Sequence, residues 1–427
     1  MLDLLVVGAG LSGLMAAYTA AQAGLKVKIV NKGLGAMHWS AGTVDVLGYT
    51  SEMPPQAVNR PLEGVAKLIQ ENSYHPYALL DSEQISSALD TFRTLLEELG
   101  LPYGGMADDE ENLFLPSPAG AARPTYLAPQ AQLAGDLSRP EPILVAGFEG
   151  MRDFYPLLIA ENLTKLGHQA RVIMMPMDLL TTRRDANTVQ MAQGLDDKAR
   201  RVRLSQHLQK LVQPGERIGL PAVLGLQAHS DVVADLEQIC GVPVFEIPTL
   251  PPSVPGVRLF AALRDELRRL GVRVETAMEV IGAQKSSAQN GTAGHVEWLE
   301  SKTTTRPIKH RAENFLLATG GLLGSGFNSD QDGRVWEVIL DLPLTVPQDR
   351  SKWFDSSFLS PAGHPVYTGG VMVNRNFQPV SAAGQVIYKN LWAVGHMLAG
   401  TDPILERSVE GIAIVTGIAA GKAIASM

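Results

Sequence analysis

Leu2-Asp3-Leu4-Leu5-Val6-Val7-Gly8-Ala9-Gly10-Leu11-Ser12-Gly13 opens the chain and decides how the rest is read. Leu2 to Val7 is an almost uninterrupted apolar run, which predicts a buried strand. Leu11 to Ala23 is made of small and apolar residues and predicts a helix stopped by Gly24; Lys26 to Val30 predicts a second strand. In this βαβ setting Gly8-x-Gly10-x-x-Gly13 fits a dinucleotide fingerprint. Gly8 permits the tight turn, Gly10 the close approach of a pyrophosphate, and Gly13 the packing of helix on strand. The helix beginning at Leu11 and Ser12 turns its unpaired N–H groups and partial positive charge toward the phosphates.

The fingerprint ordinarily has Asp or Glu about 20 residues on, to bind the adenosine ribose. Here the strand ends in Val30-Asn31-Lys32. Asn31 can hydrogen-bond a ribose through its amide but without charge assistance, so the adenosine half is expected to be weakly held or absent. Lys32 either neutralises a phosphate or lies in solvent. The glycine-rich stretch from 31 to about 48 reads as a loop along a ligand. In it Gly35-Ala-Met-His38-Trp-Ser40-Ala41-Gly42-Thr43 could pass under a flat ring, with Ser40 as a donor. His38 is either a ring-adjacent proton shuttle, even an attachment point for the ring, or a histidine satisfied by backbone groups. Trp39 is read as packing.

Two later strand ends repeat the logic of the first. Phe315 to Ala318 runs into Thr319-Gly320-Gly321, and Leu391 to Val394 runs into Gly395-His396. Glycines at strand ends let backbone approach a ligand closely, and three such junctions in this order argue for one flavin cradle. Val409 to Ala425 closes the chain as a helix, and its Gly411 is counted with the cofactor-binding residues of the cradle.

The fold expected is therefore α/β: a Rossmann-like FAD/NAD(P)-binding domain built from both termini, residues 1–70 and 251–427, with an inserted α+β lobe at 71–250 serving as a cap or as a substrate or partner lobe. A chain of 427 residues is long enough for two such domains. Within it Pro54 to Gly64 reads as a linker, Ser82 to Leu99 and Met151 to Leu166 as helices, Leu113 to Pro142 as strands and turns, and Gly219 to Phe245 as strand, helix, strand. Thr181 to Arg203 carries six basic residues beside several acids and reads as a solvated helical surface, the rival being a basic docking patch.

A net charge of −8 argues against a nucleic-acid partner. The single cysteine, Cys240, excludes a disulfide framework and a cysteine-ligated iron-sulfur cluster, so electrons must leave through a partner or a diffusing acceptor. The first residues have no basic segment of the signal-peptide kind, and the apolar run from Val409 to Met427 is interrupted by Glu410 and Lys422. The expectation is a cytoplasmic protein, peripheral on the inner face of the cell membrane through a partner if at all.

These residues resemble the succinate dehydrogenase and fumarate reductase flavoprotein superfamily, and within it the B subunits of anaerobic glycerol-3-phosphate dehydrogenases. The likeness is carried by Gly8 to Gly13, Ala36-Met-His-Trp-Ser-Ala-Gly-Thr-Val-Asp45-Val-Leu, His75-Pro-Tyr-Ala-Leu-Leu80, Leu250-Pro-Pro-Ser-Val-Pro-Gly-Val-Arg258-Leu and Leu317-Ala-Thr-Gly-Gly321. The resemblance implies oxidation of sn-glycerol 3-phosphate to dihydroxyacetone phosphate, with electrons passed to quinone. It also implies an A subunit with its own FAD, an iron-sulfur C subunit, and FMN in this chain, whereas the dinucleotide fingerprint implies FAD. Two features depart from the pattern. His396 stands where the superfamily usually has an acid, and Leu405-Glu-Arg-Ser-Val-Glu-Gly411 replaces a glycine-rich stretch after Asp402-Pro403-Ile404.

The working mechanism is hydride transfer from C2 of an alcohol phosphate to flavin N5, with a base taking the hydroxyl proton. Arg123, Arg258 and Arg407 are the candidate phosphate ligands, because a guanidinium matches phosphate oxygens bidentately. His38 and His396 are the candidate bases. The rival is a flavin-bearing electron-transfer and assembly subunit that binds no substrate, since no dense pocket constellation stands out. A third reading, an NAD-linked reductase, suits the single fingerprint and Asn31 less well.

Overall fold

Val7, the last residue of strand β1 (Leu2–Val7), sits at the end of a hydrogen-bonded run whose residues from Leu4 onward are buried, as its apolar sequence requires. Helix α1 (Leu11–Gln22) and strand β2 (Val27–Val30) complete the first βαβ unit within a residue or two of the expected limits. The computed structural model describes residues 1–33, 35–105, 110–286, 293–303 and 306–427. Leu34, within the loop expected at 31–48, lies outside them.

The chain divides into two compact units: Met1–Ala36 with Asp45–Leu95 and Ala262–Met427, and Met37–Val44 with Leu96–Ala261. In the first unit helix α2 (Pro61–Glu71) starts inside the segment read as a linker, with Pro61 at its first position, where a missing N–H costs nothing. Helix α3 (Ser82–Glu98) follows the predicted apolar spacing. Strands β3 (Arg273–Glu275), β4 (Ala312–Leu317) and β5 (Leu391–Ala393) join the first two in a five-stranded parallel sheet of order β3-β2-β1-β4-β5. Both ends of the chain thus build one Rossmann-like sheet, as expected.

Helix α4 (Val409–Ala425) is buried nearly all round and lies against α1. Small residues allow the approach: a Cβ on Gly417 would come within 2.5 Å of the Ser12 carbonyl oxygen, and one on Gly421 within 2.8 Å of the Ala16 carbonyl oxygen. With α1 pinned in this way, the turn that precedes it is fixed in position.

The second unit holds a four-stranded parallel sheet in the order Val244–Ile247, Arg217–Pro221, Ile143–Phe148, Ala170–Met175, with short antiparallel pairs beside it. Its helix after Phe148 begins only at Pro156, where the proline sets the first turn, so Met151–Tyr155 is not helical as expected. The basic stretch Thr181–Arg203 is mostly surface, but Arg201 is a correction: it is buried and ion-paired with Asp235.

Candidate functional site

Gly8 has φ +112°, and a Cβ there would lie 2.2 Å from the Ala318 carbonyl oxygen; a Cβ on Gly13 would lie 2.1 Å from the Gly8 carbonyl oxygen. Both glycines are therefore demanded by the protein's own backbone. Gly10 differs. Its φ of −73° and ψ of 174° suit any residue, and a Cβ there would meet nothing within 4 Å. Open space over Gly10 fits a group approaching from outside. The first helical bond, Leu14 N–H to the Gly10 carbonyl, leaves the N–H groups of Leu11, Ser12 and Gly13 outside the helical ladder. No acidic side chain occupies the first turn, so the site favours anionic oxygens.

At the end of β2 the buried Asn31 donates through Nδ2 to the Gly33 carbonyl, while its Oδ1 is buried with no partner among the described residues. A buried acceptor left unpaired costs about 1–3 kcal/mol, and a ribose hydroxyl is the donor that would satisfy it. Asn31 Oδ1 is thus an oriented acceptor that an adenosine ribose hydroxyl would fit, despite the missing acid. Lys32 is exposed and pairs with Glu279 at 2.8 Å, a weak surface contact that does not by itself commit its ammonium. Together, the open Gly10, the outward N–H groups and the orphaned Asn31 oxygen fit FAD.

The other two junctions converge on the same end of the sheet. Gly320 and Gly321 have φ of +81° and +59°, and a Cβ on Gly321 would meet the His396 carbonyl oxygen at 2.4 Å. Thr319 turns its hydroxyl to Met397 Sδ. Gly395, at φ +69°, packs on Ser12 and donates its N–H to Thr416 Oγ1 at 3.0 Å. Thr416 had no signal in the sequence beyond its place in an apolar helix.

His396 is half-buried, and its Nε2 lies 3.2 Å from the Val409 carbonyl oxygen at the start of α4. A carbonyl only accepts, so Nε2 carries the hydrogen and Nδ1 keeps the lone pair. Burial pushes the imidazole below its ordinary 6.5, partly opposed by that hydrogen bond, which keeps the ring neutral and basic near pH 7. Gly411 is a correction. Its N–H is taken by the Asp45 carbonyl at 3.0 Å, and its missing Cβ makes room for Tyr77 Oη, 2.3 Å from where that atom would be. It is a packing glycine and not part of the cradle.

Arg407 precedes α4 with φ +50°, and its guanidinium lies 3.6 Å from Asp45 Oδ2, beyond hydrogen-bonding reach. His396, through Val409, and Arg407 are thereby brought to the same helix entrance. Beside them is a pair the sequence reading missed as functional: fully buried His75 contacts Glu406 at 3.1 Å. The only sequence signal was that His75 fell in a stretch resembling the flavoprotein subunits.

The remaining candidates lie in the second unit. His38 ends a short 3₁₀ turn, its carbonyl accepts from Ser253 N–H, and its ring Nδ1 is buried with no partner among the described residues. The ring is therefore not satisfied by backbone groups, and burial lowers its pKa. Trp39 is 63% exposed, so it is not core packing within the chain. Ser40 Oγ accepts from Gly42 N–H, the Ala41 carbonyl accepts from Gln132, and the Gly42 carbonyl accepts from Tyr103, while Gly42 itself, at φ +78°, abuts Pro255. Buried Arg123 donates to Thr43 Oγ1 at 3.0 Å. Arg258 is a correction. Its guanidinium is committed to both oxygens of buried Glu246, each at 2.8 Å, and to the Gly225 carbonyl. No edge of that fork is left for a phosphate.

Residues 3–408 match the family described as FAD binding domain. The B subunit of the anaerobic glycerol-3-phosphate dehydrogenase of Aliivibrio fischeri (strain MJ11) is 28% identical, over 99% of this chain and 95% of that protein. The probable B subunit of the anaerobic glycerol-3-phosphate dehydrogenase of Halobacterium salinarum (strain ATCC 29341 / DSM 671 / R1) is 32% identical, over 99% and 97%. Among solved structures, 3-ketosteroid delta1-dehydrogenase from Sterolibacterium denitrificans aligns over 100% of this chain and 99% of that one, with 12% identity and a TM-score of 0.48, too distant to bear on activity.

Proposed function

Because the chain belongs to the FAD binding domain family, we propose that it is the FAD-bearing subunit of a glycerol-3-phosphate dehydrogenase, oxidising the C2 alcohol of sn-glycerol 3-phosphate to the ketone of dihydroxyacetone phosphate. The observation that carries this reading is the end-to-end likeness to relatives named for that dehydrogenase. The geometry makes it chemically workable. Bound FAD supplies a two-electron acceptor at the carboxyl end of the parallel sheet. The open face of Gly10 and the N–H groups that begin α1 would hold its pyrophosphate, and Asn31 Oδ1 would accept from its adenosine ribose.

His396 takes the C2 hydroxyl proton on Nδ1, which its bond to Val409 leaves with a lone pair, and burial keeps the ring unprotonated to receive it. Arg407, 36% exposed at the side chain and without a hydrogen bond to Asp45, takes the substrate phosphate. Electrons then leave the chain. Its one cysteine, Cys240, is buried with its thiol pushed up to about 11, which suits neither metal ligation nor redox exchange. The reading therefore includes a multisubunit complex; as the resemblance implies, an FAD-containing A subunit and an iron-sulfur C subunit deliver electrons to quinone. Among the described residues no helix is long and apolar enough to cross a membrane, so the membrane contact of the complex is assigned to a partner on its inner face.

The test is anaerobic titration of the purified complex with glycerol 3-phosphate, following flavin absorbance near ~450 nm. Bleaching that slows when His396 or Arg407 of this chain is replaced supports the reading. Bleaching indifferent to both replacements would make this chain an electron-transfer and assembly subunit.

A further inference from the structure

We propose that His75 and Glu406 are positioning residues that clamp the chain on either side of Arg407 and hold its guanidinium where it meets the substrate phosphate. The inference rests on the function proposed above. It starts from the backbone: Arg407 has φ +50°, a left-handed setting that L side chains seldom adopt and that persists only where neighbours over-determine it. A turn with no further duty would be served better by glycine, which enters this region without penalty.

Glu406 provides the over-determination. Its Oε2 accepts from Thr401 Oγ1 at 2.7 Å and from Ser408 Oγ at 3.0 Å, and meets His75 Nε2 at 3.1 Å; its Oε1 accepts from Asp402 N–H at 3.3 Å. Its backbone is held as well, the carbonyl accepting from Gly48 and Tyr49 N–H and the N–H donating to the Asp402 carbonyl. His75 is fully buried, and its Nδ1 accepts from Tyr77 N–H at 3.1 Å, so Nε2 carries the hydrogen and donates to Glu406. The ring is thus fixed at both nitrogens. Residues 406 and 408 are pinned through one carboxylate, and residue 407 between them has no freedom to leave the left-handed region.

What the clamp presents is a guanidinium not committed elsewhere. Among the described residues Arg407 has one ionic neighbour, Asp45, at 3.6 Å, which steers the side chain without using up its donors. Strained backbone, a fully bonded support beside it and open donors at the tip are what a preorganised anion ligand needs. The same arrangement accounts for the departure of Leu405 to Gly411 from a glycine-rich pattern: residues with side chains build the support.

The test combines two readouts on the full-length protein and its complex. In thermal unfolding, Arg407→Gly raises Tm by roughly 2 °C in the wild-type background, because the left-handed penalty is removed. In a Glu406→Ala background the same change yields less than half that shift, since the released chain has already relaxed. Should Glu406→Ala fail to accumulate, Glu406→Gln, which keeps the shape and loses the charge, takes its place. In turnover, Glu406→Gln and His75→Gln raise KM for glycerol 3-phosphate about tenfold while kcat changes less than twofold, as expected when a charge-assisted contact is misplaced but the base is not. Equal Tm shifts in both backgrounds, or an unchanged KM, would overturn the inference. A wild-type complex that does not oxidise glycerol 3-phosphate overturns instead the function on which Arg407's phosphate role depends, and the Tm comparison still decides the clamp.

Discussion

Replacing Gly10 and Gly8 by alanine, one at a time, separates what the fold needs from what the cofactor needs. At Gly10 the backbone is ordinary and the added methyl meets no protein atom within 4 Å. Exchanging one weak helix cap for a poorer one costs about 0.5 kcal/mol, offset by a similar loss of unfolded-state entropy, so flavin-free stability should stay within about 1 kcal/mol of wild type. The methyl does stand where the pyrophosphate must approach. Losing one charge-assisted N–H contact costs about 1.5–3 kcal/mol, so FAD affinity should fall ten- to a hundredfold. Gly8→Ala reverses the pattern: a φ of +112° and a contact of 2.2 Å to the Ala318 carbonyl oxygen put strain and overlap into the fold itself. That cost is about 2–6 kcal/mol, a large part of a typical total. Thermal unfolding of the flavin-free variants and titration with FAD by flavin fluorescence measure both effects. A Gly10→Ala protein that binds FAD as tightly as wild type, or a Gly8→Ala protein as stable as Gly10→Ala, would show that the two glycines do not divide the work in this way.

Three further outcomes are expected. Arg258→Met strands the buried Glu246 carboxylate and should cost about 3–5 kcal/mol in urea unfolding at pH 7. Burial pushes that carboxyl up, but the charge and hydrogen bonds of Arg258 outweigh it and hold it below its ordinary 4.5. Its contribution in wild type is therefore complete above about pH 4.5 and lost as pH falls through the lower folded value, whereas in the variant protonation relieves the stranded charge, so the deficit should narrow toward pH 5. An unchanged urea midpoint at pH 7 would return Arg258 to the ligand candidates. Asn31→Leu should weaken FAD about tenfold in equilibrium titration and leave FMN affinity unchanged, since only FAD has the adenosine ribose; equal effects on both would count against the ribose contact. His396→Asn should lower kcat about 10²–10⁴-fold. In wild type, where burial depresses the imidazole below 6.5, kcat/KM should fall only as pH drops below that value, and a midpoint above it would exclude His396 as the base.

The first βαβ unit, the three strand-end junctions and α4 were legible because each rests on local pattern: an apolar run, a glycine where backbone turns, an uninterrupted stretch of small residues. What escaped was non-local. A glycine records that a Cβ would not fit, but not whether ligand or protein fills the space, so Gly411 read like Gly10 until Tyr77 was seen against it. Arg258 read as a phosphate ligand because its partner Glu246, 12 positions earlier, carries no mark of pairing in the sequence. Trp39 reads as packing, and the structure leaves it exposed. The parallel order of the second sheet depends on crossovers between segments far apart in sequence, and neither composition nor spacing encodes that. Asn31 shows the same boundary from the other side. Its type marks it as a candidate ribose partner without charge, and burial of its unpaired Oδ1 adds the orientation that the sequence does not show.

That the cradle holds FAD, with Asn31 on the adenosine ribose, is tested most directly by denaturing the purified full-length protein and weighing the small molecule it releases. Recovery of FAD, at close to one per chain, is the expected result. Recovery of FMN would overturn the assignment, because FMN leaves the orphaned oxygen of Asn31 without the adenosine ribose that explains it; recovery of a nicotinamide dinucleotide, which carries that ribose, would contradict the flavin instead.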